Sequence, residues 1–231
     1  MTLSSPRSVR PWLPLALAGL CCAGWLSAPA QAQTASPLSL NAQLLMGARD
    51  GDMALVERVL AQGATTESRN RLGKTPLFIA AEKGNLALVE RLLAAKADVD
   101  LPSLDKVTPL MAASYNGHAA VALRLLAAGA RTDPADRMGK TAAVYAAGQG
   151  HAAVLDALLK AGVDVNAAYE HRLTALMWAA GQGHVDAVRL LLARGARPEA
   201  QDDRGLRAAE IARAAGQTAA AQAVEAPAPA R

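Results

Sequence analysis

The sequence of 231 residues is poor in aromatic side chains, which make up 3% of it, although 52% of it is hydrophobic. So few rings argue against a large β-sandwich core. The excess of alanine and leucine instead favours many short helices that pack closely together. We therefore expect an all-α fold, in a chain long enough for one or two domains.

Cysteine and clustered charge are also scarce. The 2 cysteines are Cys21 and Cys22, so the chain beyond them can have no disulfide, thiol nucleophile or thiolate metal site. The 24 basic and 20 acidic residues give a formal net charge of +4, without a dense block of Lys and Arg. Nucleic acid is therefore not the expected partner.

The amino-terminal segment has the pattern of a bacterial-type secretory signal. Arg7 and Arg10 precede an apolar run over residues 11–26, and residues 27–33 contain the Ala-x-Ala arrangement that signal peptidases accept. We expect residues 1–32 to be removed after Ala32 and the rest of the chain to be exported. The periplasm is the expected destination. Export alone would also allow full secretion, for example of a host-directed effector.

An uncleaved signal would instead tether the chain to the inner membrane as a scaffold. The apolar run is shorter than the about 20 residues of a membrane helix, and Pro14, Gly19 and Gly24 interrupt it, so a cleaved chain would have no stable membrane span. Lipid attachment at Cys21 is disfavoured, because Leu20 is larger than the residue that a lipoprotein signal has before its cysteine.

A period of 33 residues organises the remaining chain. It relates four threonines (Thr75, Thr108, Thr141 and Thr174) and six glycines (Gly51, Gly84, Gly117, Gly150, Gly183 and Gly216). A third series keeps the period with one departure (Gly63, Lys96, Gly129, Gly162 and Gly195). We expect Lys96 to adopt positive φ, at a cost of about 1 kcal/mol. Such a period is typical of repeat architectures.

Each period contains the signals of two helices and a connecting hairpin. Thr75 and Pro76 predict the start of a first helix, because the hydroxyl caps open N–H groups and proline suits the first turn. Gly84 predicts its end. Leu88, Val89 and later apolar residues at helical spacing predict a second helix. Turn formers such as those of residues 162–166 predict an extended hairpin to the next unit.

The repeated motifs resemble those of the ankyrin repeat family. They are Thr-Pro-Leu-Phe-Ile-Ala-Ala at 75–81, Thr-Pro-Leu-Met-Ala-Ala at 108–113, and the Gly-His pairs at 117–118, 150–151 and 183–184. The resemblance covers about residues 38–216. The histidine that this family has after Thr-Pro-Leu is replaced here (by Phe78, Met111, Val144 and Met177), so packing must substitute for its hydrogen bond to the threonine.

The resemblance implies an all-α ankyrin-repeat solenoid of stacked 33-residue helix-turn-helix units joined by β-hairpin-like loops. Together with the predicted signal, this divides the chain into a signal peptide (1–32), a disordered linker (33–37), a repeat domain (38–223) and a disordered Ala/Pro tail (224–231). The domain would contain about six units, with degenerate caps at both ends (38–70, 71–103, 104–136, 137–169, 170–202 and 203–223).

The sequence does not favour an enzyme, a metal site or a cofactor. His118, His151 and His184 occupy one repeat position, and stacked helices lie about 8 to 10 Å apart, too far for shared zinc ligands. No serine lies in a Gly-x-Ser-x-Gly elbow. We interpret the recurring hairpin carboxylates as turn and cap residues rather than acid/base pairs (Asp98, Asp100, Asp133, Asp164 and Glu199).

The resemblance further implies a concave groove that binds another protein, whose identity the sequence does not give. The groove would be lined by the hairpin tips and by the exposed side of the first helices (Arg71, Leu72, Lys74, Glu82, Lys83, Leu104, Asp105, Tyr115, Asn116, Arg137, Met138, Lys140, Gln149, Glu170, His171 and Gln182). Tyr115 is the main anchor candidate. We expect Tyr145 and Trp178 at the edge of the core.

A line of basic residues along the tips would favour an acidic partner patch, although ordinary solvated charge explains the same pattern (Arg71, Lys74, Arg137, Lys140 and Arg204).

Overall fold

A computed structural model of the chain describes residues 38–226, and the predicted signal peptide, its linker and residues 227–231 lie outside that part. The described part contains twelve α-helices, a 3₁₀ turn at Glu170–Arg172 and no strand. The helices are α1 (Leu40–Asp50), α2 (Met53–Ala61), α3 (Pro76–Lys83), α4 (Leu86–Ala94), α5 (Pro109–Tyr115), α6 (Ala119–Ala127), α7 (Ala142–Gly148), α8 (Ala152–Lys160), α9 (Ala175–Gly181), α10 (Val185–Ala193), α11 (Ala208–Ala214) and α12 (Thr218–Glu225).

The helices form two layers that follow the repeat. The first helices of the units (α1, α3, α5, α7, α9 and α11) pack side by side in one layer, and the second helices pack in the other. The first helices meet through alanines of one repeat position, all fully buried (Ala80, Ala113, Ala146, Ala179 and Ala212). Leucines and valines of the second helices, such as Leu88 and Leu155, fill the space between the layers. The all-α solenoid is confirmed.

Threonine caps start the first helices as predicted. The Thr75 hydroxyl accepts the Phe78 N–H at 3.1 Å, and Thr108, Thr141 and Thr174 repeat the contact. Two of the residues that replace the family's histidine contribute more than packing, because the sulfurs of Met111 and Met177 lie 3.4 Å from the backbone nitrogens of the capping threonines. A thioether is a weak acceptor, so it substitutes for only part of a hydrogen bond.

The tips between units are hairpin-like turns, tighter than the extended hairpins that we expected. Each tip closes with a pair of backbone N–H···O bonds, as from Asn70 to Lys74 at 3.1 Å and from Gly73 to Asn70 at 2.9 Å. Neighbouring tips are joined by single backbone bonds, such as that from Leu104 N–H to Leu72 O at 3.0 Å. Isolated bonds of this kind do not build a strand ladder, which explains why the described residues contain no strand.

The prediction of positive φ at Lys96 is confirmed, with φ of 63°. Lys106 and Arg172 also have positive φ, at the tip position where other units have Gly73, Gly139 and Gly205. Neither was predicted from the sequence.

The last helix also differs from prediction. It continues through Glu225, beyond the expected domain end at 223, because Val224 is buried against the stack. Residues 224 and 225 therefore belong to the folded part rather than to a disordered tail. None of the helices in residues 38–226 is long and apolar enough to cross a lipid bilayer.

Candidate functional site

Four adjoining clefts follow the side of the stack that is formed by the first helices and the tips. The first, of about 300 Å³, lies beside Leu45 and Leu72. The second, of about 250 Å³, lies between Phe78 and Tyr115. The third, of about 360 Å³, lies between Tyr115 and Trp178, and the fourth, of about 170 Å³, lies between Met138 and Trp178. Adjoining clefts share lining residues, and we call this surface the cleft face.

The structure brings most of the predicted groove residues to the cleft face. Those that line a cleft are Leu72, Lys74, Glu82, Lys83, Asp105, Tyr115, Asn116, Met138, Lys140, Gln149, Glu170, His171 and Gln182. The other three, Arg71, Leu104 and Arg137, lie outside the four clefts on exposed tips. They are therefore placed to contact only a partner that reaches beyond the clefts.

Apolar side chains are exposed along this face. Leu72, Leu104 and Met138 are 57–58% exposed at three successive tips, and Tyr115 is 48% exposed between them. Water is displaced favourably from such side chains when a partner covers them.

An aromatic cluster lines the third cleft. The rings of Tyr115 and Tyr145 meet edge to face, with centroids 5.5 Å apart. The Lys140 ammonium lies 5.9 Å from the Tyr145 ring and 5.1 Å from the Trp178 ring. Tyr145 and Trp178 are half-buried, as expected at a core edge. They also line the cleft, which was not predicted from the sequence. Their replacement of the smaller Ile79 and Ala112 at one repeat position was the available signal.

A buried carboxylate fixes this cluster. Asp136 is 7% exposed; one of its oxygens accepts the N–H groups of Met138 and Lys140 at 2.8 and 2.9 Å, and the other accepts the Tyr145 hydroxyl. Burial, and then the hydrogen bond to Asp136, raise the pKa of Tyr145 well above its usual value. One side chain thus ties the tip that carries Lys140 to the first helix that carries Tyr145.

The basic line along the tips is interrupted by carboxylates. Lys74 pairs with Glu82 at 2.7 Å, Arg137 lies 4.0 Å from Asp105, and Arg204 pairs with Asp202 at 2.7 Å. The structure thus favours ordinary paired charge over a continuous basic strip. Lys140 differs, because within residues 38–226 it faces two rings and forms no ion pair.

The repeated histidines link neighbouring units. Nε2 of His118 donates to Glu82 O at 3.1 Å, that of His151 to Tyr115 O at 2.9 Å, and that of His184 to Gly148 O at 3.0 Å. These residues start the second helices, but their side chains do not cap them. The contact crosses to the preceding unit, which was not predicted from the sequence. Among the described residues, no group of His, Cys, Asp and Glu is arranged to hold a metal ion.

Two of the hairpin carboxylates are turn residues, as predicted, and a third links neighbouring units. Asp98 and Asp164 each accept the N–H of the residue two positions on at 2.9 Å, and Asp100 accepts the Arg131 N–H of the next unit at 3.0 Å.

Comparison with models of known families gives a match over most of the described residues. A family model described as "Ankyrin repeats (3 copies)" matches residues 44–136 and again residues 123–202, which together are more than half of the chain. A search of curated proteins finds no match.

Proposed function

Because the chain belongs to the ankyrin repeat family, whose repeats are generally protein–protein interaction modules, we propose that it is a non-enzymatic adaptor that binds another protein through its cleft face. The observation that carries this proposal is the run of exposed apolar side chains beside adjoining clefts. Helices and tips that are fixed by caps and backbone bonds lose little conformational entropy on binding. Affinity then depends on a few anchors, with Tyr115 first among them.

We further propose that the adaptor acts after export. Arg7, Arg10, the apolar run at 11–26 and the Ala-x-Ala arrangement support a cleavable signal, with the periplasm as the first destination. Intact mass spectrometry of the protein from its native cell tests this proposal. Loss of residues 1–32 is the expected result, whereas recovery of the complete chain in the membrane fraction would favour a tethered scaffold.

Affinity capture from periplasmic extract, with three baits, tests the binding proposal. The first bait is the unchanged chain, and the second combines Tyr115→Ala with Lys140→Gln. The third is a matched control, Leu123→Ala, because Leu123 is 54% exposed but belongs to α6 in the layer of second helices. Circular dichroism and thermal melting check that all three are folded.

We expect a partner that the unchanged chain and the Leu123→Ala bait both retain and that the double variant loses. Truncation of one aromatic anchor weakens binding by about 2 kcal/mol, enough to remove a partner during washing. Equal recovery by all three folded baits would contradict the assignment of the cleft face, and loss with Leu123→Ala alone would move the site to the other layer.

A further inference from the structure

Two rings in the third cleft are placed one repeat unit apart. Tyr145 and Trp178 occupy the same position of consecutive units, and both lie within 6 Å of the Lys140 Nζ. Packed helices are separated by about 8 to 10 Å, and an extended polyproline II chain advances by about 9 Å in every three residues. Prolines three residues apart on such a chain can therefore each meet one ring.

Amide side chains stand beside the rings with the same spacing. Gln149 and Gln182 are exposed, line the third cleft and also occupy one position of consecutive units. A polyproline II chain has no internal hydrogen bonds, so its carbonyl groups need donors from outside. The two amides can supply them.

Gly148 leaves the third cleft open, although neither its backbone conformation nor the space around it requires a glycine. It is the last residue of α7, it is absent from the glycines with positive φ, and a Cβ there would meet only the Trp178 ring, at an ordinary 3.8 Å. A glycine within a helix costs about 1 kcal/mol relative to alanine. The same position in the preceding unit holds Tyr115, whose side chain forms the wall of the cleft. Glycine therefore leaves room at the point where a side chain would occupy the cleft.

The charge of the third cleft is unbalanced. Lys140 is its lysine, and no carboxylate is among its lining residues. Asp136, which accepts the Lys140 N–H, is buried and turned to the Tyr145 hydroxyl, and Glu170 lines the adjoining fourth cleft. An anionic side chain of a ligand would complement this ammonium group.

We propose that the third cleft binds an extended, proline-containing segment of the partner that carries an acidic residue. Two prolines stack on Tyr145 and Trp178, their backbone carbonyls accept from Gln149 and Gln182, and the carboxylate pairs with Lys140. Grooves lined by aromatic side chains suit such segments because the polyproline II conformation is formed before binding. The proposal rests on the proposed function and adds the chemistry of the partner.

Isothermal titration of the full chain with the blocked peptide acetyl-Pro-Pro-Glu-Pro-Pro-Pro-amide tests it. One control peptide has glutamine in place of glutamate, and a second has glycine and serine in place of the prolines. A third titration uses a chitin trisaccharide, since sugars also stack on aromatic rings. We expect binding of the first peptide, weaker binding of the glutamine peptide and no heat from the other two ligands.

Three variants assign the binding to the cleft. Trp178→Ala is expected to weaken it about 30-fold, as for other aromatic anchors. Lys140→Gln should abolish the preference for glutamate over glutamine, while the control Lys160→Gln, in α8, should not. Gly148→Leu should remove binding while the melting temperature stays the same or rises, because leucine is a better helix former than glycine.

No binding of the proline peptide, equal binding of the glycine-serine peptide, or binding of the trisaccharide in its place would overturn the proposal. So would undiminished binding by a folded Gly148→Leu variant. If the proline peptide does not bind but the bait with Tyr115→Ala and Lys140→Gln still loses a partner, the proposed adaptor function is supported. Only the proposed proline-containing ligand is then excluded. If both experiments fail, the cleft face is not the site.

Discussion

Backbone conformation at single residues explains why glycine recurs in this chain. Glycines with positive φ end helices and turn the tips, because a side chain is disfavoured there. Three residues, at two repeat positions, break the pattern with a lysine or an arginine where other units have glycine (Lys96, Lys106 and Arg172). The rest of the fold therefore holds these residues against local strain.

Lys96→Gly should stabilise the protein. At φ of 63° the glycine relieves strain worth about 1 kcal/mol, part of which is offset by the greater freedom of glycine in the unfolded chain. Urea unfolding measures the change. The matched control is Gly129→Ala at the equivalent position of the next unit, where φ is 88° and no atom lies within 4 Å of the added Cβ. It should destabilise by about 1 kcal/mol, and a loss of stability with Lys96→Gly would contradict the argument.

The Tyr145 hydroxyl should make the stability of the protein fall at alkaline pH. Its pKa is raised in the folded chain, first by burial and then by Asp136, whereas the unfolded phenol ionises near pH 10. The stabilisation from the neutral phenol is thus complete below about pH 10 and is lost as the pH rises above that value.

Tyr145→Phe removes this ionisation and the hydrogen bond together. We expect the variant to be less stable than the unchanged protein at pH 7, with a difference that shrinks as the pH rises from about 10 to 11. Urea midpoints at each pH measure it. A difference that is constant over this range would show that Tyr145 does not contribute to the alkaline loss.

Contacts between elements depend on pairs of residues from neighbouring units. Gly117 and His151 are one such pair, because a Cβ at residue 117 would lie 2.6 Å from Nδ1 of that histidine. Gly84 with His118 and Gly150 with His184 repeat the arrangement. The glycine of one unit therefore makes room for the histidine ring of the next unit. That ring donates a hydrogen bond to a backbone carbonyl of the unit that contains the glycine.

His151→Ala should destabilise the protein by about 1 kcal/mol, the usual net value of one hydrogen bond. Gly117→Ala should cost more than Gly129→Ala, because the added Cβ displaces the His151 ring as well as straining φ. In the His151→Ala background the ring is absent, so Gly117→Ala should then cost about the same as Gly129→Ala. Unfolding of the single and double variants measures the coupling. Additive costs would contradict the proposed contact.

Along the described residues, the extensive contacts of each unit are with its neighbours. The first helices pack in order along one layer and the second helices along the other, and no extensive contact between two helices skips a unit. Stability in such a stack is roughly a sum of unit and interface contributions.

Removal of residues 203–231 should therefore shorten the stack without unfolding the rest. We expect a helical protein with a lower melting temperature and a smaller urea m-value, because less surface becomes exposed on unfolding. Circular dichroism with urea titration measures both. Complete loss of helicity would indicate that the last unit is required for folding.

The period, the helices and the residues at which each helix starts and ends can be predicted from the sequence alone. Threonine caps, closing glycines and apolar spacing act within a few residues, so the chain pattern reports them directly. The resemblance to the ankyrin repeat family also pointed to most of the residues that line the clefts. Only the tertiary structure showed that Tyr145, Trp178 and Lys140 share one cleft, that Asp136 holds the Tyr145 hydroxyl, and that the histidines donate to the preceding unit. These contacts join side chains of different elements, and most of them join different units. Their partners are therefore fixed by how the units stack and by the rotamers that the stacking allows, which local sequence patterns do not specify.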